Sequence, residues 1–174
     1  RDRLRSRGLG DVYKRQKIWG MVQDKLPDWK LTLVGDGPQF GTCRQIIAEK
    51  KLKRVCLTGH QMSIPYIDRA RILCLTSVIE GLPTVFTEAM SLGVIPIGFD
   101  SFNAIYDMID DGIDGFIIPD NNYEQYAETI LRLAQNDTLR CRIAYKAQKR
   151  KNRYDIEQVG PLWMETFRKH GLIK

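Results

Sequence analysis

The 174-residue chain predicts an α/β fold built on a doubly wound parallel sheet, and three observations carry that prediction. Five short runs rich in branched apolar residues, at 31–35, 54–59, 72–77, 94–99 and 115–119, are continuously hydrophobic, the mark of strands buried on both faces. Helical segments separate them almost without exception. Turn-forming residues fall at the junctions, as short right-handed crossovers require.

The elements follow in order. LTLVG (31–35) opens the strands and leads into a helix over 39–52; RVCLTG (54–59) follows, then a short helix near 63–70. ILCLTS (72–77) is succeeded by a loop and a helix over 84–92. Pro83 and Thr84 suit the entry of that helix, and Gly93 suits the left-handed position after its end. VIPIGF (94–99), a helix over 102–111 and GFIIP (115–119) complete the alternation. Asn121 and Asn122 precede a helix over 122–135 whose apolar positions Tyr126, Ile130 and Leu133 keep the helical period. Two more helices are expected at 137–150, with Leu139, Ile143 and Ala147 as its stripe, and at 155–169. In the last, Trp163 and Phe167 stand four apart, a spacing that suits core packing or docking against a further domain.

Composition narrows the class. With 43% hydrophobic residues the chain can bury a core, and no run approaches the roughly 18–20 apolar residues of a membrane span. The N-terminus is too charged for a signal peptide, so a cytoplasmic protein, membrane-peripheral at most, is expected. Cys43, Cys56, Cys74 and Cys141 show no CxxC spacing and read as reduced, mostly buried thiols, with no metal site.

The net charge of +6 is concentrated in RDRLRSRGLGDVYKRQ, residues 1–16, which contribute +4 of it. That stretch has no hydrophobic periodicity and resembles translated adapter or vector sequence. It is read as a non-native basic head, leaving 17–174 as the domain. LRCRIAYKAQKRKNRY (139–154) carries seven basic residues and no acid; a solvated helix face is the plainer reading, attraction to phosphates or anionic headgroups the sharper one. Charge alone would support a nucleic-acid-binding domain. Without a recognisable motif, no nucleic-acid partner is assigned.

In open α/β sheets ligands bind beyond the carboxyl ends of the strands, so the informative residues stand just after each strand. Gly35, Asp36 and Gly37 in LVGDGP allow close backbone approach before a helix that favours anions, or merely make a tight turn. Thr58, Gly59 and His60 end the second strand; His60 could contact a ligand or remain an ordinary surface group. The third place is SVIEGLPTVFTEAM (77–90). Glu80 falls in its loop and Glu88 in the second turn of its helix, so both can face the crevice while Val85, Phe86, Ala89 and Met90 pack inward. Gly81, Leu82, Pro83 and Thr84 offer backbone groups at a positive helix start. Two carboxylates beside a phosphate site make sense if they accept from sugar hydroxyls. The plainer alternative is a pair of exposed charges.

Glu80 and Glu88, seven residues between them, resemble the paired-glutamate motif of retaining GT-B glycosyltransferases, family 4 or group 1 type. WKLTLVGDGP, LTGH and DGIDGFIIP match that family's C-terminal, nucleotide-sugar-binding domain in order, over roughly residues 17–174. The resemblance implies a Rossmann-like domain, the second half of a GT-B fold. It implies that Glu88 holds the ribose of a UDP- or GDP-sugar and that Glu80 contacts the transferred sugar near the reacting carbon as the catalytic residue. Gly81 to Thr84 would then serve sugar and diphosphate, Thr58 to His60 the base, and Gly35 to Gly37 the diphosphate. No metal or other cofactor is implied. The implied activity is hexosyl transfer, with retention, to a glycan or lipid-linked acceptor held by a separate N-terminal domain. The family's first strand, which brings an arginine and a lysine to the phosphates, has no counterpart here, and Lys14, Arg15 and Lys17 do not stand in its pattern. A truncated nucleotide-binding module without activity of its own is therefore the alternative reading.

Overall fold

The computed structural model describes residues 9–173, with only the backbone for 9–12 and 151–152. Residues 1–8 of the basic head lie outside the described residues. Five parallel strands, β1 (Leu31–Leu33), β2 (Val55–Leu57), β3 (Ile72–Leu75), β4 (Ile95–Asp100) and β5 (Phe116–Pro119), start within a residue of the expected runs, and only β4 extends past its run, by Asp100. Between and after them come α2 (Phe40–Glu49), α3 (Ile64–Asp68), α4 (Thr84–Ser91), α5 (Ile105–Met108), α6 (Tyr123–Gln135), α7 (Asp137–Arg150) and α8 (Ile156–Lys169). Only α5 falls well short of expectation. One turn forms where ten residues were expected, because Asp110, Gly112 and Asp114 fold the chain back: the carboxylate of Asp114 accepts from the Asp110 amide (2.8 Å) and Gly112 adopts φ 72°.

The strands pair in two sheets. β1 and β2 form one, and β3, β4 and β5, in that order, form the other. Both are parallel, and Leu31 and Val55 of the first pack on the same core cluster as Ile95, Ile97 and Phe99 of the second. The two sheets are thus halves of one layer, Rossmann-like, with no ladder joining β1 to β3 among the described residues. That break falls where a first strand would belong in the doubly wound order. β4 is the axis of the core, buried from Ile95 to Phe99.

Sequence reasoning placed no helix before β1, yet α1 (Leu9–Val22) is there. Ile18, Trp19 and Val22 are buried against α6 and the core, an i, i+1, i+4 pattern in KIWGMV obscured by Gly20 and by the basic residues ahead of it. The boundary set at residue 16 falls inside this helix, and Gln16 is fully buried, donating to the carbonyl of Cys43 (2.8 Å). Further bonds fasten α1 and the short 3-10 turn after it (Gln23–Lys25) to the approach to β2. Trp19 Nε1 donates to Lys53 O (2.8 Å), and Lys53 N donates to the Gln23 side chain (2.6 Å).

Two expectations fail. Cys56 is exposed, because β2 is a sheet edge left partly uncovered, and Cys141 is exposed on α7; only Cys43 is buried and Cys74 partly so. α8 buries none of its residues: Trp163 and Phe167 stack on each other (ring centroids 5.5 Å apart) while Ile156 and Leu162 face outward, so the core packing proposed for them does not occur. Among the described residues no helix is long and apolar enough to cross a membrane.

Candidate functional site

The first two expected site segments meet. After β1 the chain passes through Gly35 (φ 134°) and Gly37 (φ 149°), and after β2 through Gly59 (φ 71°), conformations that favour glycine at each place. Gly35 N donates to Gly59 O (3.0 Å), which draws the two loops together. Asp36 is committed to this turn, accepting from the Gly37 amide (2.7 Å). The Thr58 hydroxyl is similarly engaged with the Gly59 carbonyl (3.1 Å). His60 projects into solvent.

The third segment is held from below. Thr76 and Ser77 are buried at the end of β3, and Ser101 Oγ donates to Ser77 O (2.6 Å), fastening the exit of β4 to the root of the glutamate loop. Ser101 follows a strand directly, so the strand-end rule that singled out the other loops could have found it. Above this root Val78, Ile79 and Leu82 are exposed. α4 then begins at Thr84 behind Pro83, whose extended backbone (φ −72°, ψ 91°) accepts from Phe86 N but supplies no side-chain cap. The first amides of α4 are left for solvent or an anion.

Glu80 and Glu88 are both half-buried. Neither carboxylate has a hydrogen-bond or ion-pair partner among the described residues. Phe86, Ala89 and Met90 of the same helix are fully buried, which fixes the rotation of α4 and turns Glu88 away from the core. Carboxylates held this way are free acceptors on an anchored frame. No hydrogen bond among the described residues joins the Glu80 loop to the loops after β1 and β2. The three segments share the carboxyl end of the strands, but the break between β1 and β3 separates the third from the other two.

Two basic residues of α1 are engaged within the fold. Lys14 is buried, pairing with Asp120 (3.4 Å) over the ring of Phe99, and Lys17 lies over Tyr123 (4.0 Å). Two cavities, of about 560 and 420 Å³, lie beside β5 and not at the glutamate loop. No cluster of His, Cys, Asp and Glu among the described residues could hold a metal ion.

The strand layer is parallel and Rossmann-like, with glycine turns at two strand ends and two unpartnered carboxylates beyond a third. The chain belongs to the glycosyl transferases group 1 family, whose model matches residues 16–150. It is 27% identical over 154 residues to an uncharacterised glycosyltransferase of Haemophilus influenzae, covering 84% of this chain and 42% of that protein. It is 26% identical over 145 residues to an N-acetylgalactosaminyltransferase of Campylobacter jejuni that acts on an undecaprenol-linked glycan, covering 80% and 39%. Among solved structures, TarM superposes with a TM-score of 0.85 at 24% identity, over 94% of this chain and 34% of that one. The C-terminal domain of a group 1 glycosyl transferase from Francisella tularensis gives 0.71 at 21%, covering 81% and 77%. The chain spans less than half the length of the curated relatives it matches here. Its fold is that of the C-terminal half of a GT-B glycosyltransferase.

Proposed function

We propose that the chain is the donor-binding domain of a glycosyltransferase that moves a hexosyl group from a UDP- or GDP-sugar to a glycan or lipid-linked acceptor, with retention. The observation that carries this reading is the pair of half-buried, unpartnered carboxylates, Glu80 and Glu88, flanking the uncapped start of α4. The names of structural neighbours agree with it: TarM is described with UDP and α-GlcNAc-glycerol, and HepE with UDP and glucose. In this reading Glu88 accepts from the ribose hydroxyls and Glu80 from the sugar near the reacting carbon. Gly81 to Thr84 face the sugar and diphosphate, Gly35 to Gly37 the diphosphate, and Thr58 to His60 the base.

The acceptor belongs to a preceding domain of the whole protein, and the apolar side of α8 is the surface that docks on it. The whole enzyme acts in the cytoplasm, peripheral to the membrane where its acceptor is lipid-linked. Lys14 and Lys17 are engaged elsewhere, so the chain alone is proposed to bind nucleotide without transferring sugar. Loss of cationic stabilisation of a leaving diphosphate costs several kcal/mol in comparable sites.

Calorimetric titration with UDP, GDP and a duplex DNA tests the reading. Glu88→Ala should weaken the preferred nucleotide by about tenfold, the scale of one charge-assisted hydrogen-bond pair. Unchanged nucleotide affinity in Glu88→Ala, or DNA binding that survives removal of residues 1–8, which precede α1, would overturn it.

A further inference from the structure

The larger of the two cavities lies at the same end of the sheet as the glutamate loop, on its far side. Asp100 and Pro119, the last residues of β4 and β5, form one wall, and Asp110, Asp111 and Ile113 the other. The floor is Ile109, buried, and Ile117, half-buried. Its volume of about 560 Å³ is that of an ordinary small-ligand site. Tyr106 and Ile113 stand 57% and 55% exposed in it, an aromatic and an aliphatic surface offered to whatever enters.

The polar groups here are fixed in a particular way. Tyr106 Oη donates to Asp100 Oδ2 (2.6 Å), the Ile117 amide donates to Asp111 Oδ1 (2.9 Å), and Arg150 holds Asp110 Oδ2. Each carboxylate therefore has one oxygen tied to the protein and the other without a partner among the described residues. They do not converge as a metal site, so a cation is not the matching ligand. An anion is disfavoured still more. From Ile72 to Leu131 the chain has ten acidic side chains and no lysine, arginine or histidine; Arg150 is already committed to Asp110 and Asp114, and Arg153 donates to the carbonyl of Asp107. Fixed acceptors beside an exposed aromatic and an exposed aliphatic side chain suit a ligand that donates hydroxyls from its edges and presents C–H faces.

We propose that this groove is a second carbohydrate site, for an uncharged, hydroxyl-rich oligosaccharide. The Ser101–Ser77 bond fastens the exit of β4, whose last residue lines the groove, to the root of the glutamate loop. That it holds the distal residues of an acceptor or product rests on the donor-site reading. That it binds sugar does not.

The test is amide-shift NMR on the 174-residue chain with maltohexaose, an anionic oligogalacturonate and calcium chloride as separate titrants, and UDP as a fourth. Maltohexaose should shift the amides of Tyr106, Ile113 and Ile117 in a saturable manner. Tyr106→Ala should weaken that binding by about tenfold, with Tyr106→Phe in between and UDP shifts unaltered. The proposal is overturned if maltohexaose moves nothing in the groove, if it moves only residues near Glu80, or if the oligogalacturonate or calcium binds there as well as the neutral sugar. Glycan binding with no UDP binding would remove the acceptor role and leave the site standing. UDP binding without glycan binding would remove the groove site and leave the donor-site reading standing.

Discussion

The two halves of the strand layer are built to different standards. In β3–β4–β5 the central strand is buried on both faces, Tyr126 reaches from α6 to donate to Ile97 O (2.7 Å), and Gly98 lies so close to Ile105 and Phe86 that a Cβ there would stand 2.8 and 3.0 Å from them. The outer edge of that half is closed: Asp111 takes the free amide of Ile117, which blunts β5 against pairing with another chain. In β1–β2 every residue keeps some exposure, and the apolar contacts of Leu31 and Val55 with the core are joined by polar bonds from Trp19, Gln23 and Arg54 to backbone groups. A sheet interrupted between β1 and β3 leaves the small half to be held by α1. Stability should therefore be set by β3–β4–β5, and local opening should begin in β1–β2.

The largest effect expected from this contrast is at Phe86. Phe86→Ala removes a fully buried ring packed with Met90, Ile105 and Met108, and should cost about 3–5 kcal/mol. Ile47→Ala on α2, a half-buried contact of the small half, should cost about 1 kcal/mol. Urea unfolding of both variants measures the gap. Equal losses would show that the two halves share one cooperative core after all.

Arg150 comes next, since it joins the β5 side of the layer to α7. It pairs with Asp110 and, at 3.0 Å, with Asp114, which is 3% exposed, and it donates to the carbonyl of Asp107 (3.1 Å). Burial raises the Asp114 pKa above its ordinary value, the amide of Asp110 and the Arg150 charge opposing that rise. A carboxylate with a raised folded pKa favours folding most below the ordinary range, about 3.9, and loses that contribution as pH climbs through the folded value. Arg150→Met removes one opposing charge. It should cost on the order of 3 kcal/mol at neutral pH and steepen the fall in stability as pH rises. Asp114→Asn in the Arg150→Met background should flatten that slope. A slope unchanged by either substitution would show that Asp114 does not carry it.

What sequence reasoning could reach follows the same division. Where hydrophobicity is continuous or keeps a helical period, as in VIPIGF or along Tyr126, Ile130 and Leu133, burial dictated the pattern and the pattern was legible. Glu80 and Glu88 stood out because two carboxylates in an apolar run demand an account, and the structure leaves both half-buried with no partner among the described residues. The exposure of Cys56 and the bareness of α8 were not legible, because an apolar residue on an edge strand or an exposed helix looks the same in sequence as one in a core. α1 was lost to its neighbours in the chain: apolar positions in KIWGMV follow a basic stretch, and polar anchors such as Gln16 and Gln23 carry no periodic signal.

The smallest effect separates contacts that hold the loose half from those that merely decorate it. Lys53 carries both kinds. Its amide and carbonyl bind Gln23 and Trp19 at partly buried positions, whereas its ammonium pairs with Asp24 at 2.9 Å with both side chains more than half exposed. An exposed pair of this kind gains little over its hydrated partners and gives up side-chain freedom to form. Lys53→Ala should therefore change stability by less than about 0.5 kcal/mol, and added salt should leave that difference near zero. Gln23→Ala leaves the Lys53 amide without its acceptor in a part-buried place and should cost about 1–2 kcal/mol. Thermal unfolding of the two variants at low and high salt compares them directly. A Lys53→Ala loss as large as that of Gln23→Ala would mean that surface charge, and not the backbone anchors beneath it, keeps β1–β2 in place.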